Sequence, residues 1–159
     1  MKEYIHGGDI YRHPDVLDFS ANINPLGTPP AVVQAAKDSM EWICHYPDAC
    51  QEKLKQALAA YEQVPVEWLI CGNGAAELIF ALVQAVKPKR ALVMAPTFAE
   101  YAQALEAVGC EVDREILKKE DGFTLQRTIL EKLQKEDLQM VFLCNPNNPT
   151  GILIIRLGF

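Results

Sequence analysis

From residue 66 onward, short apolar runs of strand length alternate with stretches of helical period, and this rhythm constrains the fold more than any other feature. Trp68-Leu69-Ile70-Cys71 comes first, then Gly74 to Val86, then Ala91-Leu92-Val93-Met94-Ala95. That order is a βαβ unit, whose two strands lie parallel with the helix on one face. The pattern continues: Thr97 and Glu100 form a capping box ahead of Tyr101, Leu105 and Val108, and Gly109 stands where a left-handed helix stop is expected. A strand from Glu111 to Leu117, an Asp121-Gly122 turn, a helix carrying Leu125, Ile129 and Leu133, and a strand from Met140 to Cys144 follow. The expected class is α/β, a three-layer α/β/α arrangement around a mainly parallel sheet.

The first part of the chain reads differently. Residues 1 to 27 are rich in Gly, Asn, Pro and Asp, with only Val16-Leu17-Asp18-Phe19 as an apolar stretch, and suggest an extended arm. Thr28-Pro29-Pro30 supplies a cap residue and a proline in the first turn of a helix that carries Val32, Val33, Ala36, Met40 and Ile43 and ends near Cys44. Pro47 breaks the chain, and Asp48 with Gln51 forms a capping box before a second helix with Leu54, Leu58 and Tyr61. The expected division is an arm and first helix over residues 1–47 and a larger α/β domain over 48–159.

A net charge of -6 argues against nucleic acid or an anionic membrane as a partner, since either calls for a basic surface. No segment has the apolar length of a membrane span or a signal peptide, so a cytoplasmic location is expected. The cysteines, Cys44, Cys50, Cys71, Cys110 and Cys144, include no C-x-x-C pair, which suits a reducing compartment. His6, His13 and His45 lack metal-ligand spacing, so no metal site is expected.

Two loops carry candidate chemistry. Gly72-Asn73-Gly74-Ala75-Ala76-Glu77 lies between a strand and a helix, where backbone N–H groups and the helix dipole attract an anion. The dinucleotide fingerprint is a rival, but Glu77 replaces its third glycine and the next strand runs into Ala95-Pro96-Thr97 without an acidic ribose ligand. A Walker loop lacks its Lys-Ser/Thr pair here, and a plain connecting turn stays open beside the phosphate cradle. Asn145-Pro146-Asn147-Asn148-Pro149-Thr150-Gly151 follows the last strand, at the edge of a parallel sheet where ligands collect.

Together these strings resemble the fold-type I pyridoxal-phosphate enzymes of the class I/II aminotransferase superfamily, and above all the branch containing histidinol-phosphate aminotransferases and the threonine-phosphate decarboxylases of cobalamin synthesis. The resemblance covers residues 6 to about 155 and implies the beginning of that fold's large domain. It implies that the loop around Gly74, Ala75 and Ala76 holds the phosphate of pyridoxal 5'-phosphate. Phe98, in Pro96-Thr97-Phe98, would stack on the pyridine ring, and Asn148 would hydrogen-bond its 3-oxygen. Tyr46, in Tyr46-Pro47-Asp48, would reach the cofactor phosphate of a neighbouring subunit, so the whole enzyme would be a homodimer with shared sites.

Ser20-Ala21-Asn22-Ile23-Asn24-Pro25-Leu26-Gly27 resembles the substrate-side loop of the same branch. The aminotransferases usually carry an acid where Ile23 stands, and His6-Gly7-Gly8 looks like the decarboxylase opening, so the resemblance leans to the decarboxylase. His6, Gly7 and Asn24 are then the expected contacts to a phosphorylated amino-acid substrate. The implied reaction turns L-threonine O-3-phosphate into (R)-1-aminopropan-2-yl phosphate, the protonated ring acting as electron sink.

The family places its Schiff-base lysine, its pyridine-binding Asp and its carboxylate-binding Arg after the asparagine loop. Every lysine here, from Lys2 to Lys135, precedes that loop, so no catalytic residue is assigned within residues 1–159. The expectation is an inactive N-terminal piece. A histidinol-phosphate-type aminotransferase and a non-enzymatic truncated gene product are the alternatives.

Overall fold

The structure is a computed structural model that describes residues 7 to 154. It divides into two units, one ending at Cys50 and one beginning at Gln51.

Turns within a few residues, together with the Gly8 amide donating to the Ser20 hydroxyl, hold the first unit. The Asn24 side chain accepts the Leu26 amide at 3.0 Å, and the Asn24 carbonyl accepts the Gly27 amide at 3.0 Å. Helix α1, Pro30–Ser39, starts with proline at its first position, where a missing N–H costs nothing, and runs into a 3-10 turn over Met40–Trp42. The expected helix therefore tightens at Met40 before reaching Cys44, and the N-cap position belongs to Pro29, leaving Thr28 without a capping bond. No residue of α1 or of the turn is buried.

The second unit starts with α2, Glu52–Glu62. Its expected capping box does not form, because the Asp48 carboxylate accepts the Cys50 amide at 2.9 Å and Gln51 is left-handed. Short acidic side chains compete with helix starts in this way. A 3-10 turn, Val66–Trp68, precedes Leu69, which is extended. The strand expected at Trp68–Cys71 is absent: a strand needs a hydrogen-bonded neighbour, and the sheet consists of three others.

Helix α3, Gly74–Val86, leads to β1, Arg90–Ala95; α4, Ala99–Ala107, leads to β2, Glu111–Ile116; α5, Ile129–Leu133, leads to β3, Met140–Phe142. The strands lie in the order β2-β1-β3, and both pairings are parallel, with Ala91 opposite Val112 and Met140. Side chains alternate across β1. Ala91 and Val93 pack with Val83 of α3 and with Ala104 and Leu105 of α4. Leu92 and Met94 face the other way, onto Leu117 and Ile129. The α/β expectation, with a parallel sheet and helices on both faces, therefore holds in this unit. Its last helix is shorter than the sequence period suggests, with Leu125 joining the core from the preceding loop.

At the amino edge of the sheet, Arg90 reaches Asp113 at 3.0 Å and Asp137 at 2.9 Å, and Lys135 reaches Asp113 at 3.1 Å. These bonds tie the start of β1 to β2 and to the approach to β3, leaving the carboxyl edge to other groups.

Candidate functional site

The loops that follow β1 and β3 meet at the carboxyl edge. Helix α3 joins them there by length. Its 13 residues span about 20 Å, close to the rise of a strand the size of β1. Ile79 and Val83 of α3 pack on the sheet face that carries Ala91 and Val93, and the helix enters β1 through Pro88, so it runs back along the sheet toward the carboxyl edge.

At that first turn Asn73 is the N-cap and Gly74 is left-handed, at φ 84°. The Glu77 carboxylate accepts both the Asn73 backbone amide and, at 3.1 Å, its side-chain amide. A methyl group on Gly72 would lie 2.8 Å from that carboxylate and 2.9 Å from Leu78, so a larger residue there would push on the side chain that holds the Asn73 donors. Nothing lies within 4 Å of where a Cβ on Gly74 would stand. The amides of Ala75 and Ala76 have no acceptor among the described residues, and they are first-turn donors at the positive end of the helix dipole. Glu77 thus occupies the Asn73 donors and leaves the next two for an outside anion.

The second wall is the loop after β3. Asn147 is 6% exposed. Its side-chain oxygen accepts the Thr97 hydroxyl at 2.9 Å, and its amide donates to the Pro96 carbonyl at 3.1 Å and to the Thr150 hydroxyl at 2.8 Å. Its backbone amide donates to Ile152 at 2.8 Å. Asn145 holds the following strand-like segment, its oxygen accepting the Ile154 amide at 2.8 Å. The neighbouring Asn148 is half-buried, and its side-chain amide makes no hydrogen bond to the described residues. One asparagine is consumed by the scaffold and the next is left available.

Phe98 is half-buried beside these groups, meeting Tyr101 edge-on with centroids 5.6 Å apart. Tyr101 stacks on Phe142 of β3 at 4.6 Å, a contact that braces the start of α4 against the sheet. Burial, then a hydrogen bond to Cys144, pushes the Tyr101 phenol up to about 12, so it stays protonated at neutral pH. The capping box expected from Thr97 and Glu100 is absent, because the Thr97 hydroxyl is spent on Asn147 and Phe98 takes the N-cap position.

Against known proteins, residues 14–156 match the model of the family described as aminotransferase class I and II. The chain belongs to this aminotransferase family. It is 49% identical over 156 residues to the threonine-phosphate decarboxylase of Salmonella typhimurium, covering 93% of this chain and 43% of that one. Over 149 residues it is 37% identical to the histidinol-phosphate aminotransferase of Desulfitobacterium hafniense, covering 90% of this chain and 41% of the relative. The histidinol-phosphate aminotransferase of Sinorhizobium meliloti, solved in complex with pyridoxal-5'-phosphate, shares the fold with a TM-score of 0.74 at 22% identity, over 81% of this chain and 35% of that one. This chain thus spans about two-fifths of the length of the curated relatives it matches.

In the second unit, Phe98 and Asn148 flank the Thr97–Asn147 hydrogen bond that joins the loops after β1 and β3, and Gly74, Ala75 and Ala76 form the first turn of α3. Tyr46, 94% exposed, and Gly7 and Asn24 lie in the first unit. His6 is outside the described residues. Gly7 meets the Ser20 backbone so closely that no side chain would fit, while the Gly8 amide donates to the Ser20 hydroxyl at 2.8 Å. Among the described residues no cluster suits a metal ion, and no helix is long and apolar enough to cross a membrane. The residue that sequence inspection overlooked is Asn147. Its only sequence signal is its position between two prolines in a row of asparagines, which does not distinguish a buried amide from an exposed one.

Proposed function

We propose that this chain supplies the phosphate cradle and one wall of a pyridoxal-phosphate site in an enzyme that decarboxylates L-threonine O-3-phosphate, working as a cytoplasmic homodimer. The observation that supports the reading is the hydrogen bond from Thr97 to Asn147, which joins the loops carrying the Phe98 ring and the uncommitted Asn148 amide, beside an α3 first turn whose donors are free among the described residues. These residues fit the cofactor. The Ala75 and Ala76 amides bind its phosphate, with Gly74 leaving open space for the approach. Phe98 covers a ring face, and Asn148 donates to the ring oxygen. When bound, pyridoxal phosphate supplies an electron sink for the bond broken at the substrate α-carbon.

By the same resemblance, His6 and Gly7 contact the substrate phosphate, Asn24 is a further substrate contact, and Tyr46 serves the cofactor phosphate of the partner subunit. Binding energy from that remote phosphate holds the substrate so that the carboxylate bond lies perpendicular to the ring. Identity of 49% to the Salmonella decarboxylase supports this substrate class. Histidinol-phosphate amino transfer is the second reading, favoured by 37% identity to the Desulfitobacterium enzyme.

Product analysis on the complete gene product separates the two. Carbon dioxide and aminopropanol phosphate formed without a keto acid support the decarboxylase. Amino transfer that depends on a keto acid moves the assignment to the second reading, and neither product removes both. The 159-residue chain itself should bind pyridoxal phosphate without stoichiometric borohydride labelling of any one lysine. A single fully labelled lysine would overturn the assignment of no catalytic residue to this span.

A further inference from the structure

Buried polar side chains with complete hydrogen bonding rigidify what they join, and Asn147 is the best-satisfied side chain at this sheet edge. Its partners come from two segments far apart in sequence: Thr97 and Pro96 after β1, fifty and fifty-one residues away, and Thr150 in its own loop. Both amide hydrogens and the carbonyl oxygen are engaged, so a carboxamide is the one side chain of this size that serves all three partners. Backbone bonds on either side close the loop, from the Asn147 amide to Ile152 and from Gly151 to the Asn147 carbonyl at 2.6 Å. The residue immediately before this junction's helix is Phe98, and the residue immediately after Asn147 is Asn148.

We propose that Asn147 is a positioning residue that sets the Phe98 wall against the Asn148 wall, so that the ring-binding half of the site is built before any ligand arrives. This rests on the cofactor reading above only for the identity of the ligand; the mechanical coupling stands on the hydrogen bonds. Asn147 touches no reacting atom in this scheme. The phosphate cradle at α3 does not pass through it, because Gly72, Asn73 and Glu77 hold that loop among themselves. The two halves of the site therefore respond separately.

The test uses the 159-residue chain, its Asn147→Ala variant and the milder Thr97→Val, which removes one of the three bonds. Hydrogen exchange reads the coupling without ligand: in Asn147→Ala, exchange should speed up roughly tenfold in segments 96–100 and 145–152, while β2 stays protected. Binding reads the consequence. Affinity for pyridoxal phosphate should fall roughly tenfold in Asn147→Ala, whereas affinity for inorganic phosphate should hold. Thr97→Val should show the same pattern at smaller size, and it decides the matter if Asn147→Ala does not fold. Unchanged exchange in 96–100 overturns the coupling, as does a loss spread equally over β2 or over both ligands. A parent chain that prefers pyridoxal phosphate no more than inorganic phosphate removes the cofactor reading, and the exchange result then decides the positioning role alone.

Discussion

The two units of this chain carry similar local signals and reach different ends. In the first, α1 starts on a well-placed proline and shows helical apolar spacing, yet Val32, Val33, Met40, Trp42 and Ile43 are all exposed. In the second, β1 is covered on both faces, and Ala91, Leu92, Val93 and Met94 are all buried. What separates them is strand pairing and burial: β1 has a hydrogen-bonded strand on each side and a helical layer on each face, whereas the described residues of the first unit form no strand and none is buried. Local propensity makes a helix possible, and buried area makes it stable.

The sharpest way to break that comparison is to remove core volume. Leu105 is fully buried between α4, α3 and β1, so Leu105→Ala should destabilise the second unit by about 2–5 kcal/mol, read by urea unfolding. A loss below about 1 kcal/mol would mean that the core is not packed as described. Gly74→Ala comes next. Its left-handed backbone, at φ 84°, costs an L-residue about 1 kcal/mol, while the open space around it rules out a clash. The expected result is a modest stability loss with weaker phosphate binding, measured by titration. Unaltered phosphate binding would separate the turn from the cradle.

How far the sequence anticipated this depends on the range of the forces involved. Strand–helix alternation, the Gly109 stop and the Gly122 turn were legible because each depends on neighbours in the chain. That the Phe98 and Asn148 loops follow parallel strands and so share the carboxyl edge was legible through element order. The failures arise where another partner, near or far, displaced the expected one or where a strand found no neighbour. Thr97, Asp48 and the Trp68–Cys71 segment all had plausible local partners, but Thr97 found a distant one in Asn147, Asp48 bonded Cys50, and the apolar segment found no strand beside it. Asn147 was missed for the converse reason: a row of asparagines gives no clue to which one the fold will bury.

Charge gives a smaller lever on the same contrast. The Arg90 guanidinium, then Lys135, holds the Asp113 carboxyl below its ordinary value of 3.8. Since the folded-state value is the lower one, the unfolded chain takes up the proton first as pH falls. The stabilisation is therefore complete above the ordinary value and is lost as pH drops below it through the lowered one. Asp113→Asn should flatten this acid limb of the stability curve in the second unit, by less than the core substitution costs because the cluster is partly solvated. An unchanged acid limb would mean that the ion pairs around β1 contribute nothing in solution.

The smallest effect is expected in α1. Val33 lies on the helix's apolar spacing but is 39% exposed, so truncating it opens no cavity. Valine is also a poorer helix former than alanine, because its branched Cβ loses rotamer freedom against the preceding turn. The two terms oppose each other, and Val33→Ala should change stability by less than about 0.5 kcal/mol in either direction, compared by urea unfolding with Leu105→Ala. A loss of 2 kcal/mol or more, the size associated with buried side chains, would show that α1 is covered in solution, and the contrast between the two units would then disappear.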